Sequence, residues 1–547
     1  MSRRLVVLAL VLLLLPVASA WHQGHRHWST IPDGPYSYAP PQPQTFLASD
    51  GTEISYAVFM PNVPPGTRVP VIVSAGPYFG LLEEPVNVPS TGRLTGFLID
   101  NFVSHGYAVV PVSIRGTGLS GGCIELMSLR EAKDLDELVT FLANEPWSNG
   151  NIAMTGKSYD GGTPWMVAQF GNPHLKTIVP IAGVTDQGDL LYHRGGTQFR
   201  GPVFHSVVYW PFGFGFSQSG LSPDPWYRPL DKRLENAICP ELVKGQALGV
   251  YSAYTGDTQN VPVVTDYWGE RAFRERTLQN YNGSVFIVHG LQDWNVIPSQ
   301  VAPFFNDLQV PKKMMLGQWA HHYADEGQAT NRNDFAQILK NWFDRELKGM
   351  NVSTGPTVEV ADAFGGTWRT YSEWPPTPAS VHTWHLSANK QLTQGAPSSF
   401  SIPFASPAGT TAHARPCMNG AGGPTYFSAV TTQPFRLSGV GSLTVLLDPP
   451  TPGTLTVSVC ANNALIAHGG ANTLYPDSNQ LEPWAVGGPT AVRVDLEPAE
   501  RTVPAGTRLS VAIRFEGGAE AGMSYWPATS PGVGVLVGGT LELPSAT

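Results

Sequence analysis

Charge is scarce in this chain. Asp, Glu, Lys and Arg make up 14% of its 547 residues, against about 25% in an average soluble protein. The charge present sums to −9 at pH 7. No basic stripe gathers the Lys and Arg, which argues against a nucleic-acid partner. Cysteine is scarcer still: Cys123, Cys239, Cys417 and Cys460 are the whole complement. None lies in a C-x-x-C pattern, so neither a zinc centre nor dithiol redox chemistry is indicated. Membrane-length apolar runs are also missing, since Leu5 to Leu15 falls short of the ~20 residues a span needs.

That short run has another reading. It follows Arg3 and Arg4 and precedes Pro16 to Ala20, the layout of a signal peptide cleaved after Ala20. Ser2-Arg3-Arg4 matches a twin-arginine signal only loosely. No Cys follows the site, so no lipid or other stable membrane anchor is expected. In an exported protein four cysteines predict two disulfides with three possible connectivities. Domain logic favours Cys123–Cys239 and Cys417–Cys460, with buried free thiols as the alternative. Glycine (58) and proline (49) are plentiful and mark many turns in a chain of ordinary apolar content.

Residues 1–20 are thus the signal peptide, and 21–44 an irregular arm whose His22, His25 and His27 read as solvated rather than metal-binding. Residues 45–376 alternate strands with helices, an α/β catalytic domain built on a mainly parallel sheet. The alternation lapses over about 183–282, an aromatic, Pro- and Gly-rich insertion with helical pieces near Pro240 to Ala253 and Trp268 to Leu278. Residues 377–547 carry short alternating segments between turns, an all-β sandwich.

Ile152 to Gly162 reads I-A-M-T-G-K-S-Y-D-G-G: strand, turn, then helix. That is the context of a nucleophile elbow and makes Ser158 the candidate nucleophile. The spacing is G-x-S-x-x-G, because Asp160 stands where the commoner elbow has its second glycine. Strand Ser284 to His289 runs into Asp293, placed to orient an imidazole. Strand Lys313 to Leu316 runs into His321 and His322; His321 is the expected general base and His322 the fallback. The order Ser, Asp, His, each after a strand, is that of α/β-hydrolases. Oxyanion donors would be the Tyr159 backbone N–H and Tyr78, from the loop after strand Val69 to Ser74. Ser120, in a literal G-x-S-x-G, lacks a following helix, and Ser217 lacks a preceding strand.

Several stretches resemble the Xaa-Pro dipeptidyl-peptidases, serine peptidases of the family that also holds cocaine esterase and α-amino-acid ester hydrolases. They are Gly-Lys-Ser-Tyr-x-Gly at the elbow, Arg115-Gly-Thr-Gly-x-Ser-x-Gly, Val288-His-Gly-Leu-Gln-Asp-Trp-Asn-Val296 and Ala320-His-x-Tyr323. The resemblance implies an α/β-hydrolase core, a helical cap insertion and a C-terminal jelly roll. It maps the triad onto Ser158, Asp293 and His321 and the oxyanion tyrosine onto Tyr78. It implies release of N-terminal Xaa-Pro dipeptides, with the aromatic cap enclosing the proline ring. An esterase or acylase acting on small esters or amides is the first alternative, and a non-catalytic surface-binding protein the second. No cofactor or metal is required by this chemistry, and the oligomeric state is left open. Asp160 has two readings: an acid complementing the helix dipole, which we favour, or an anchor for the substrate amine. Asp186, Asp189 and Glu270 are rival amine anchors.

Overall fold

The computed structural model describes residues 28–39, 41, 44–78, 93–192, 239–245, 247, 262–293, 295–326, 330–406, 417, 423–448, 453–472, 488–517 and 530–546. The expected signal peptide, the arm histidines, Ser217 and most of the aromatic insertion lie outside these residues.

The catalytic region runs β1 (Gln44–Leu47), β2 (Glu53–Tyr56), β3 (Val69–Gly76), α1 (Arg93–Phe102), β4 (Ala108–Ser113), α2 (Leu129–Asn144), β5 (Ser148–Lys157), α3 (Tyr159–Ala168) and β6 (Leu175–Ile181). After the insertion come β7 (Ser284–Gly290), β8 (Lys312–Gly317), β9 (Val358–Ala361) and β10 (Trp368–Tyr371). Among the described residues these strands form one sheet in the order β1-β2-β4-β3-β5-β6-β7-β8-β9-β10. From β4 to β9 every neighbouring pair is parallel. The parallel strands are continuous apolar runs because helices cover both faces; β3 and β4 are buried at every position. Helix α2 shows why its face is inward. Ala132, Leu135, Leu138, Val139 and Leu142 recur at helical spacing and are buried, while the Ser128 side chain caps the first turn by accepting from the Glu131 N–H. Helix α1 gives way to a tighter turn at Val103–His105 and stops at Gly106, whose φ of 82° only glycine adopts freely.

Two differences from the sequence reading have physical causes. The helix expected over Trp268 to Leu278 is two, Pro262–Glu270 and Arg274–Asn280. The chain breaks at 271–273 because the Phe273 N–H donates to Thr185 O and Ala272 bridges to Asp186. The strands β9 and β10 extend the hydrolase sheet, although their four-residue segments carry little periodicity.

The C-terminal half is all β: among the described residues, one twelve-stranded network in which the 17-residue strand Ser530–Ala546 pairs with five others. Its core gathers Leu443, Val445, Leu447, Val457, Val459, Val492, Val511 and Ile513, from facing strands. Disulfides join Cys123 to Cys239 and Cys417 to Cys460.

The two halves meet at Glu500, in strand Ala499–Val503 and 1% exposed. Its carboxylate accepts from Tyr371 Oη (2.8 Å), Ser438 Oγ and Trp374 Nε1, and Arg369 and Arg436 stand 3.6 and 3.8 Å away. Burial raises its pKa, opposed by these donors. Replacing Glu500 by Ala takes this acceptor from the Tyr371 and Ser438 hydroxyls and the buried Trp374 N–H, and removes the charge facing the half-buried Arg436. We expect a loss of about 3–5 kcal/mol, measured as a fall in Tm by calorimetry. Glu500→Gln, which keeps an acceptor, should lose less.

Candidate active site

Ser158 occupies the single residue between β5 and α3. Its φ of 68° and ψ of −122° are a left-handed, strained conformation for a residue with a side chain. Its N–H donates to Ile181 O (3.0 Å) on β6, and its carbonyl accepts the Gly162 N–H (3.0 Å). So sharp a return needs bare backbone. A Cβ on Gly156 would lie 1.9 Å from Asp160 O, and one on Gly161 2.6 Å from Ile181 O. The same close packing accommodates the residue that gives the unusual spacing. A Cβ on Gly76, at the end of β3, would lie 1.6 Å from Asp160 Oδ1. The side chain absent from Gly76 therefore makes room for the carboxylate at Asp160. Asp160 lies in the first turn of α3, with Oδ1 buried.

Asp293 and His321 come from loops after β7 and β8, neighbours in the sheet. Asp293 is buried, and its Oδ1 accepts the N–H groups of Asn295 (2.8 Å) and Val296 (3.0 Å). Its Oδ2 lies 2.7 Å from His321 Nδ1. Burial pushes the Asp293 carboxyl up, but His321, His289 and the Val296 amide together hold it below the usual range. Nδ1 being committed to Asp293, proton exchange at His321 falls to Nε2. His322 turns the other way, its Nδ1 3.0 Å from Glu326 Oε2. Burial opposes charge on Glu326, yet His322, Lys157 and Arg93 hold its carboxyl at about 2. Lys157, next to Ser158 in the chain, donates to the His321 carbonyl (3.3 Å) and lies over the Tyr323 ring. The elbow and the histidine loop are thus in contact.

Sequence reasoning did not single out His289. It is fully buried, bonds the Val296 carbonyl through Nε2 (2.8 Å), and sits 3.8 Å from Asp293 Oδ2. Burial lowers its pKa, which keeps it neutral. Val296 is therefore held at both its backbone N–H and its carbonyl, which fixes the Asp293 turn. The signal was its place at the end of β7, four residues before Asp293.

Tyr78 follows the end of β3, half-buried, its ring edge-on to that of Tyr159 at 6.4 Å and 84°. The Tyr159 N–H heads α3, where the helix dipole favours developing negative charge. Of the rival acids, Asp189 is bound by Arg274 and Gln300. Glu270 stands 3.7 Å from Arg271 at the surface. Asp186 accepts the Asp189 N–H, and burial with the nearby Asp189 charge raises its pKa to about 6. Ser120 is structural: its hydroxyl accepts the Ser55 N–H and donates to Ser113 O.

A buried carboxylate on a histidine, on a loop in contact with the turn that carries a strained serine, is the arrangement that serine hydrolysis uses. Comparison with known proteins bears on the family. The family model of the X-Pro dipeptidyl-peptidase (S15 family) matches residues 50–323, and that of the X-Pro dipeptidyl-peptidase C-terminal non-catalytic domain matches 351–515. The chain is 27% identical over 510 residues to a Bacillus cereus protein named "Putative Xaa-Pro dipeptidyl-peptidase", covering 84% of this chain and 82% of that one. A CocE/NonD family hydrolase from Staphylococcus aureus shares the fold at a TM-score of 0.70 and 17% identity, over 96% of this chain and 99% of that one. An α-amino acid ester hydrolase does so at 0.71 and 16%, over 94% and 98%. This chain belongs to the X-Pro dipeptidyl-peptidase (S15) family of serine hydrolases.

Proposed function

We propose that the protein is an exported serine exopeptidase that releases Xaa-Pro dipeptides from the N-termini of peptides. The observation that carries the hydrolytic part of this reading is the 2.7 Å Asp293–His321 pair at the same sheet edge as Ser158, and membership of the X-Pro dipeptidyl-peptidase family supports the choice of substrate. Ser158 Oγ attacks the carbonyl after proline while His321 Nε2 takes its proton. Asp293 holds the tautomer and stabilises the imidazolium. The Tyr159 N–H and Tyr78 receive the oxyanion. Collapse breaks the peptide C–N bond, His321 gives its proton to the departing amine, and a dipeptidyl ester remains on Ser158. Water, deprotonated by His321, then frees the dipeptide. Two disulfides support export to an oxidising compartment, in keeping with the N-terminal charge and apolar run. The burial of Asp160 Oδ1 against Gly76 supports the structural reading of that acid.

A fluorophosphonate should label the wild type and not Ser158→Ala. Asp293→Asn should lower kcat by about 10³–10⁴-fold. His321→Ala should lose far more turnover than His322→Ala; the reverse ranking would transfer the base to His322.

Gly-Pro and Ala-Pro anilides with free amino termini should be cleaved faster than their N-blocked forms and than simple acyl esters. Turnover of esters alone would establish the esterase reading, which the fold shared with the α-amino acid ester hydrolase keeps in view.

A further inference from the structure

Besides the Tyr78 ring, the side chain of Tyr159 has partners that form a chain of contacts the mechanism has not used. Its hydroxyl donates to Glu131 Oε1 (2.7 Å) and accepts the Met127 N–H (2.8 Å). Glu131 is fully buried in the first turn of α2, and its Oε2 has no hydrogen-bond partner among the described residues. Leu126 and Met127 both hold left-handed backbone, φ 53° and 64°. From the other side, Arg271 of the insertion grips the same turn: Nε donates to Leu126 O (2.9 Å) and Nη2 to Glu125 O (2.8 Å). Arg271 is itself fully buried and stacks on the Tyr267 ring. The Met127 side chain rests on α3, since a Cβ on Gly162 would lie 2.7 Å from Met127 Cε.

A buried carboxyl with one donor is a poor way to stabilise a core; an apolar pair of the same shape would serve better. Local rules broken in this way concentrate at functional sites. The peptide N–H that precedes the Tyr159 ring is the oxyanion donor proposed above, and a shift of about 1 Å there can cost 10²-fold in rate. We propose that Glu131 is a positioning residue for the elbow: through the Tyr159 hydroxyl it fixes the direction of the Tyr159 N–H, and the Met127 turn joins that anchor to Arg271 of the cap. The inference rests on the proposed role of Ser158 and the Tyr159 amide.

Tyr159→Phe, Glu131→Leu, Glu131→Gln and the Tyr159→Phe/Glu131→Leu double variant are compared on Gly-Pro anilide, with Tm recorded for each. Tyr159→Phe and Glu131→Leu should each lower kcat about 10–100-fold with KM within about threefold. Glu131→Gln keeps a carbonyl oxygen for the tyrosine and should retain kcat within about threefold of wild type. The double variant should be no worse than the poorer single one, because the pair acts as a unit. A fall in Tm with kcat unchanged, or additive losses in the double variant, would overturn the inference. Should Tyr159→Phe not fold, the contrast between Glu131→Leu and Glu131→Gln decides alone. Fluorophosphonate labelling separates the two levels. A wild type that does not label removes the nucleophile reading and this inference with it. Normal labelling with wild-type kinetics in both Tyr159→Phe and Glu131→Leu overturns this inference only.

Discussion

The backbone of Ser158 is the constraint around which the catalytic edge is arranged. Holding an L residue at φ 68° costs about 1–3 kcal/mol, and the surroundings must exceed that cost. They do so by close approach. Ser158 is bonded on one side to β6 and on the other to its own helix, and Gly156, Gly161 and Gly183 let three backbones come within contact of one another. Gly290 and Gly317, side by side at the ends of β7 and β8, do the same for the Trp319 loop that leads to His321. Strand ends in an open parallel sheet converge on one edge. Here that edge is kept free of side chains wherever a reacting group must be presented.

Much of this was legible in the sequence, for a local reason. Continuous apolar runs such as Val69–Gly76 and Ser284–Gly290 declare buried parallel strands, and residues just beyond their ends inherit the catalytic edge. Ser158, Asp293 and His321 are the candidates because each stands within a few residues of such a run. The choice of His321 over His322 had no local basis. The structure separates them through Asp293 and Glu326, which lie 28 and four residues away.

What was not legible depends on contacts distant in sequence. Asp160 looked like an anomaly within its own motif, whereas the space its carboxylate occupies is left by Gly76, 84 residues earlier. Glu131 is one of several acids on an amphipathic helix, of which Glu131 and Asp134 are buried and Asp136 and Glu137 half-buried, with no local mark of which is which. The break at 271–273 follows from pairing with Thr185 and Asp186, and helical periodicity carries no trace of it. His289 read as an ordinary strand residue because a buried neutral imidazole leaves no charge pattern.

Gln318 ties the two halves together at the level of single side chains. Its amide nitrogen donates to Ala361 O (2.7 Å) and reaches Glu500 O (3.4 Å), while its amide oxygen accepts from Gln292 (3.3 Å), one residue before Asp293. Three residues after it stands His321. The β-domain thus touches both the acid-bearing and the base-bearing loop through one glutamine. Exchange of this domain between related chains by recombination is therefore not free. A donor segment that displaces the Glu500 carbonyl leaves Gln318 its bonds to Ala361 and Gln292 but takes away the contact through which the β-domain reaches these two loops.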